Sequence, residues 1–115
     1  MRTLTFDQYE FDPSDSEEGL EISIVTKRDR PFPDVVGFAS AVLGAEAATK
    51  LPSPIAFERC DRSPNARAYL ERHADVILPS PCEWPTFVVS DDWDDWDALV
   101  VGPEMLIRYH WWTTA

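Results

Sequence analysis

Residues 90–97 read SDDWDDWD and contain five aspartates and two tryptophans. A run of carboxylates can bind a divalent cation or steer a basic partner, and tryptophan rings supply contact energy at protein interfaces. A calcium loop of the EF-hand type needs an oxygen ligand at its fifth position and glycine at its sixth. Counted from Asp92, these positions hold Trp96 and Asp97, so the spacing does not fit calcium. The segment therefore favours a protein contact over a metal site.

The remaining reactive side chains are too scattered to form a known catalytic motif. The glycines, at 19, 37, 44 and 102, form no phosphate-binding loop, and no serine lies between two glycines as in a nucleophile elbow. Cys60 and Cys82 are far apart in the sequence, which favours reduced, buried thiols. His110 and one of these cysteines would form a nucleophile and a base only if the fold joined them. We therefore expect no catalytic residue, no metal and no cofactor.

Acidic charge is concentrated at the two ends of the sequence, and the net charge is -11. Residues 1–30 contain eight acids against four bases, and residues 83–115 contain seven against one. If the two ends lie side by side, they create a single negative field to which Glu17 and Glu18 contribute. Such a field repels nucleic acid and anionic membranes and accelerates encounters with basic proteins.

A basic cluster lies in the middle of the sequence and consists of Arg59, Arg62, Arg67 and Arg72. Acidic residues are interspersed with it, and we expect surface ion pairs with Asp61, Glu71 and Asp75. A phosphate-binding pocket is the alternative for this cluster.

The length and hydropathy predict one soluble, cytoplasmic domain over residues 1–115. This length suits one domain and is short for two. No apolar run approaches the roughly 18 residues that span a membrane, and the first residues show no apolar signal segment.

Hydrophobic periodicity predicts the elements that carry these residues. Alternating apolar and polar side chains indicate strands over 3–11, 20–26, 86–90, 97–101 and 105–113, with a short β-capable run at 55–60. Helical patterns follow Asp34, over 35–50, and Ser63-Pro64, to about Ala74. The order ββαβαβββ indicates an α+β fold, with a mainly antiparallel sheet of about five to six strands and two helices.

The last strand offers a rival interpretation, because alternation places Arg108, His110 and Trp112 on one of its faces. A small enzyme or ligand-binding domain would have a pocket around these residues and Tyr109, with the acidic segment as its lid. A homo-oligomer is a third alternative. Its hint is a stripe of small residues along the first helix, which consists of Gly37, Ala41, Gly44 and Ala48.

The charge and the tryptophans together favour an acidic inhibitor that covers the functional surface of a basic toxin, nuclease or nucleic-acid-binding protein. Its carboxylates would lie where phosphates bind, and its tryptophans would anchor the contact unless they fold back into the core. In size, charge and lack of motifs the chain is similar to bacterial immunity proteins that neutralise toxins and to phage inhibitors of host defence, and the immunity role is preferred. We expect a monomer or dimer that binds no nucleic acid directly. The predicted contact residues are Asp91, Asp92, Trp93, Asp94, Asp95, Trp96, Asp97, Glu17, Glu18 and Trp112.

Overall fold

The structure is a computed structural model that describes residues 2–6, 18–26 and 34–113, except the side chain of Phe6. The described part contains six strands and three α-helices. In chain order these are β1 (Arg2–Phe6), β2 (Glu18–Thr26), α1 (Val35–Leu43), α2 (Ala45–Ala48), β3 (Ile55–Ala56), α3 (Ser63–Ala74), β4 (Pro85–Asp92), β5 (Asp95–Val101) and β6 (Met105–Thr113). The predicted α+β fold is confirmed. The part of the predicted first strand beyond Phe6 lies outside the described residues.

All strands belong to one antiparallel sheet in the order β1-β2-β6-β5-β4-β3. The C-terminal strand β6 therefore lies in the middle of the sheet, between the N-terminal strand β2 and its hairpin partner β5. Glu18 at the start of β2 is paired with Thr113 at the end of β6. This pairing brings together the described parts of the two acidic ends of the chain.

Two helical layers cover the two faces of the sheet. Leu70 of α3 packs into one core with Ile22 and Tyr109, and Phe38 of α1 packs into the other with Leu99. Each fully buried large side chain contributes about 1.5–3 kcal/mol to folding. The alternation of apolar residues along β2, β5 and β6 thus serves two cores, because consecutive side chains in a strand point to opposite faces.

Helix α1 begins where the sequence predicts but ends earlier. The carboxylate of Asp34 accepts a hydrogen bond from the backbone N–H of Gly37, at 2.9 Å, and so caps the first turn. Gly44 then adopts φ 103° and ψ 156°, a conformation that is essentially restricted to glycine. The predicted helix over 35–50 is therefore divided into α1 and α2, and the stripe of small residues is interrupted at Gly44.

We predict that Gly44→Ala lowers the free energy of unfolding by about 1–3 kcal/mol, because a Cβ atom disfavours this backbone conformation. The space around Gly44 is open, so backbone strain is the expected cause of the loss and a steric clash is not. Urea denaturation measures the effect. Ser40→Ala on the exposed side of α1 is the control and should change stability by less than about 0.5 kcal/mol. Equal stabilities of Gly44→Ala and the wild type would contradict the prediction.

Helix α3 begins at Ser63 and Pro64, as predicted, although the capping position is Arg62 and Ser63 is the first helical residue. The helix ends at Asp75, whose left-handed conformation, φ 55°, stops further helical hydrogen bonding. The start of α3 therefore places the side chain of Arg62 beside the turn between β4 and β5.

Candidate functional site at the acidic hairpin

The acidic segment forms the tip of a β-hairpin. Strand β4 continues to Asp92 and β5 begins at Asp95, and these two residues are paired. Only Trp93 and Asp94 form the turn between them. The predicted strands 86–90 and 97–101 are therefore each longer at the hairpin end, and we refer to residues 91–95 as the hairpin tip.

The two tryptophans of the segment have opposite environments. Trp93 lies in the turn and is 70% exposed, whereas Trp96 is 1% exposed and its ring packs edge-on against Tyr109, at 5.7 Å between centroids. The expectation of an outward-facing anchor is met by Trp93 and is wrong for Trp96. Because β5 starts at Asp95, its alternation puts Trp96 on the same face as Ala98 and Val100, in the core against α3.

The five aspartates also divide into two groups. Asp91 and Asp92 are exposed, and Asp94 in the turn is partly exposed. Asp95 and Asp97 point to the sheet face opposite to Trp96, where Asp97 forms an ion pair with Arg108 and Asp95 accepts a hydrogen bond from His110. Asp97 is 7% exposed, so the expectation that it offers a contact at the surface is also wrong. The carboxylates available to a partner are therefore those of β4 and the turn.

Arg108 is the centre of the ion pairs on that face. Its guanidinium donates two hydrogen bonds to Asp97, at 3.1 and 2.8 Å, and one to Glu21, at 3.3 Å. Burial lowers the pKa of Arg108, but the hydrogen bond to Asp97 and the charges of Asp97, Glu21 and Asp95 outweigh burial and raise the pKa overall. One arginine on β6 thereby neutralises carboxylates on both neighbouring strands, β2 and β5.

His110 extends the same ion-pair cluster toward the hairpin tip. Its Nε2 lies 2.6 Å from Asp95, and its Nδ1 lies 3.3 Å from Nη2 of Arg108. Because arginine can only donate, Nδ1 accepts, and the neutral ring carries its proton on Nε2 and donates it to Asp95. Both ring nitrogens are therefore occupied. We call Arg108, His110, Glu21, Asp95 and Asp97 together the Arg108 network.

The pKa of Asp95 lies below its ordinary value as a result of this network. Burial alone would raise the pKa, but hydrogen bonds from Ser90 and His110 outweigh burial, together with the positive charge of Arg108. The carboxylate of Asp95 is thus stabilised in its ionised form.

The residues that the rival interpretation places around one pocket lie on two faces of the sheet. Tyr109 faces the α3 side of the sheet and is 3% exposed, while Arg108, His110 and Trp112 face the other side. The His110 ring also packs against Trp112, with 4.9 Å between centroids. Both ring nitrogens and one face of the His110 ring are thus engaged in contacts within the domain.

Trp112, another predicted contact residue, is only partly exposed. Its indole lies directly over Gly19 of β2, where a Cβ atom would come within 2.1 Å of the ring. Because glycine has no Cβ atom, it leaves the space on the sheet that the Trp112 ring occupies. This packing could not be predicted from the sequence, because Gly19 and Trp112 become neighbours only through the pairing of β2 with β6.

Glu18 lies at the same end of the sheet as the hairpin tip, and Glu17 lies outside the described residues. Thr113, the partner of Glu18, donates its backbone N–H to the carbonyl of Asp94, at 2.9 Å. Glu18 also lines a recess of about 110 Å³ on the α3 side. The other residues that line this recess are Arg62, Asn65, Tyr69, Tyr109 and Trp111.

The two cysteines are buried, free thiols. Burial, together with the charges of Asp61 and Asp91, raises the pKa of Cys60 to about 11, and burial also raises the pKa of Cys82. A nucleophilic cysteine needs a lowered pKa, so neither thiol is activated.

Two arginines of the basic cluster, Arg62 and Arg67, form contacts other than the predicted ion pairs. Arg67 forms an ion pair with Glu58 and donates to the carbonyls of Leu78 and Pro79, at 3.2 and 3.0 Å. Arg62 donates to backbone carbonyls of the hairpin tip. Both side chains thus serve intramolecular contacts, and a phosphate-binding cluster is not assembled from them.

No family model, curated protein or solved structure matches this chain. Across residues 2–6, 18–26 and 34–113, no group of three or more histidine, cysteine or acidic side chains is placed to hold a metal ion. None of the described helices combines the length and the apolar character that a membrane crossing requires. The hairpin tip and its supports are the features from which a function can be argued.

We predict that Arg108→Met lowers the free energy of unfolding by about 3–5 kcal/mol, because it leaves the buried carboxylate of Asp97 without its counterion. Adding Asp97→Leu should recover most of that loss, since the unpaired charge is then removed as well. Urea denaturation of both variants tests this. Arg72→Met replaces an exposed arginine and should cost less than about 1 kcal/mol. A double variant no more stable than Arg108→Met would refute this explanation.

We predict that Asp95→Asn weakens the acid dependence of stability. A carboxylate with a lowered pKa stabilises the fold above its ordinary pKa of about 4, and this contribution is lost as the pH falls through the lowered value. Urea denaturation at a series of pH values below 5 should show a shallower decline for Asp95→Asn than for the wild type. Asp92→Asn, at an exposed position of the same tip, is the control and should retain the wild-type slope.

Proposed function

We propose that the protein is an acidic inhibitor of immunity type, which neutralises a basic toxin or nuclease by covering its functional surface. The supporting observation is the exposure of Trp93, 70%, in a turn that follows the exposed carboxylates of Asp91 and Asp92. Among the described residues, a ring that is mostly exposed at the end of a hairpin adds little to the packing of the domain. Its remaining area is available to another molecule.

The surrounding charge supports the same proposal. A single exposed tryptophan on a protein of net charge -11 is kept from self-association by charge repulsion, but it remains free to meet a positive surface. Charges at the rim of an interface mainly set the rate of encounter and the choice of partner, whereas a buried aromatic ring supplies much of the binding energy. The two features of the hairpin tip therefore have complementary roles.

The division of the aspartates narrows the proposed contact surface. Asp97 forms an ion pair with Arg108, and Asp95 accepts a hydrogen bond from His110 and lies in the field of the Arg108 charge, so the negative charge of these two aspartates is partly offset within the domain. Asp91, Asp92, Asp94 and Glu18 keep their negative charge near Trp93. The proposed surface consists of these four acids and the ring. A toxin or nuclease whose own site binds phosphates would present the complementary charge.

An inhibitor of a host defence protein would use a surface of the same chemistry, and the identity of the partner separates the two roles. The immunity role predicts that a basic toxin encoded beside this gene is the partner. Cells that produce this toxin should survive when they also produce the wild-type protein. If no neighbouring basic protein binds and a defence nuclease does, the anti-defence role replaces the immunity role.

We predict that Trp93→Ala reduces affinity for the neighbouring basic protein by at least about 30-fold, since an interface hot spot contributes 2 kcal/mol or more. Isothermal titration calorimetry measures the change. Ile77→Ala is the matched control, because Ile77 is 78% exposed but lies beyond the opposite end of α3. Affinity within twofold of the wild type for Trp93→Ala would sink the proposal.

We further predict that Asp91→Asn combined with Asp92→Asn acts mainly on association. The association rate should fall several-fold at low salt and depend less steeply on ionic strength, because steering charges at the rim have been removed. Dissociation should change little. Stopped-flow measurements between about 20 and 300 mM salt resolve the two rates. Glu46→Gln combined with Glu104→Gln, both at exposed positions outside the tip, is the control of equal charge change.

A further inference from the structure

The turn that carries Trp93 is held from the α3 side by the side chain of Arg62. Its Nη2 donates to the backbone carbonyls of Asp92, at 3.1 Å, and Trp93, at 3.3 Å. We infer that Arg62 is a positioning residue, which fixes the turn so that the Trp93 ring stands ready to enter a partner. This inference rests on the proposed function and identifies a residue that sequence reasoning assigned only to a cluster of surface ion pairs.

The geometry explains why arginine suits this position. The guanidinium carbon of Arg62 lies 4.5 Å from the centroid of the Trp111 ring, so a cation–π contact holds the charged group over β6. The N–H groups of the same guanidinium remain free to donate to the carbonyls of the turn. The side chain therefore links three elements, the start of α3, the end of β6 and the hairpin tip.

Further hydrogen bonds from Thr113, His110 and Ser90 support the tip, and they act on Asp94 and Asp95. Thr113 of β6 donates to the carbonyl of Asp94, at 2.9 Å, and His110 donates to the carboxylate of Asp95, at 2.6 Å. Both act at or after the second residue of the turn. Arg62 acts on the last residue of β4 and on Trp93 itself, and so restrains the half of the turn that carries the ring.

The positive charge of Arg62 would not favour a basic partner, so a positioning role accounts for this residue better than a direct contact with the partner does. A positive side chain beside a surface for a basic partner opposes association, so its charge alone would be a disadvantage there. Ordering the ring in advance reduces the entropy lost on binding, and this favours affinity. If Arg62 positions the ring, its removal should weaken the affinity for a basic partner. If only its charge matters, its removal should strengthen that affinity.

The first test uses the free protein. Nitrogen-15 relaxation should give the Trp93 and Asp94 amides order parameters near 0.85 in the wild type and below about 0.6 in Arg62→Met, which keeps the stem and removes the donors. Arg62→Lys should give intermediate values, because one ammonium cannot both stack on Trp111 and reach two carbonyls. The amides of β5, such as Leu99, report whether the sheet is intact. Unchanged order at Trp93 in Arg62→Met would overturn the inference.

The second test uses binding to the neighbouring basic protein. Arg62→Met should weaken the affinity about tenfold although it makes the inhibitor more negative. Arg72→Met, with the same charge change at the far end of α3, should bind as well as the wild type or more tightly. Tighter binding of Arg62→Met would overturn the positioning role.

The two tests separate this inference from the proposed function. If Trp93→Ala binds normally while Arg62→Met still disorders the turn, the proposed function is wrong and the restraint by Arg62 stands. If Trp93→Ala loses binding while Arg62→Met keeps both order and affinity, the function stands and the role of Arg62 is wrong.

Discussion

The pairing of β5 with β6 over the whole of β5, from Asp95 to Val101, is the constraint on which the rest of the site depends. Once Asp95 is in the ladder, alternation assigns each following side chain to a face of the sheet. Trp96 must enter the core under α3, and Asp97 must face Arg108. The turn is left with two residues, and one of them is Trp93. An exposed ring at the tip is thus a consequence of strand register.

The same register places the carboxylates of the segment in two different environments. Of the carboxylates on β5, Asp97 pairs with Arg108 and Asp95 accepts a hydrogen bond from His110, and Arg108 also pairs with Glu21, so these contacts join three strands of the sheet. Carboxylates on β4 and in the turn keep their charge toward solvent. A count of acidic residues overstates the steering field, because part of it is cancelled within the domain. The remaining charge lies beside the exposed ring, which is the arrangement that supports an acidic binding protein.

Arg108 and Arg62 illustrate two different uses of a cation in an acidic protein. Arg108 is largely buried and offsets the desolvation of Asp97 by a two-point contact, so its removal affects the stability of the fold. Arg62 neutralises no carboxylate at the tip and instead binds two backbone carbonyls. These hydrogen bonds order the turn locally. In both cases the guanidinium bridges elements that are distant in the sequence, which the flexible ammonium of lysine does less well.

Local patterns in the sequence were sufficient to predict the α+β class, the order of the strands, the cap at Asp34, the start of α3 near Ser63 and the two faces of β6. These features follow from local patterns, because alternation and capping act within a few residues. The strand ends at Asp92 and Asp95 could not be predicted, since aspartate is unfavourable in strands and pairing with both β4 and β6 holds Asp95 there. The break at Gly44, the packing of Trp112 on Gly19 and the contact of Arg62 with the tip likewise depend on tertiary structure. The sequence alone therefore determined that acids and tryptophans occur together, and the tertiary structure decided which of them face solvent, because exposure is set by strand register and by neighbours distant in the chain.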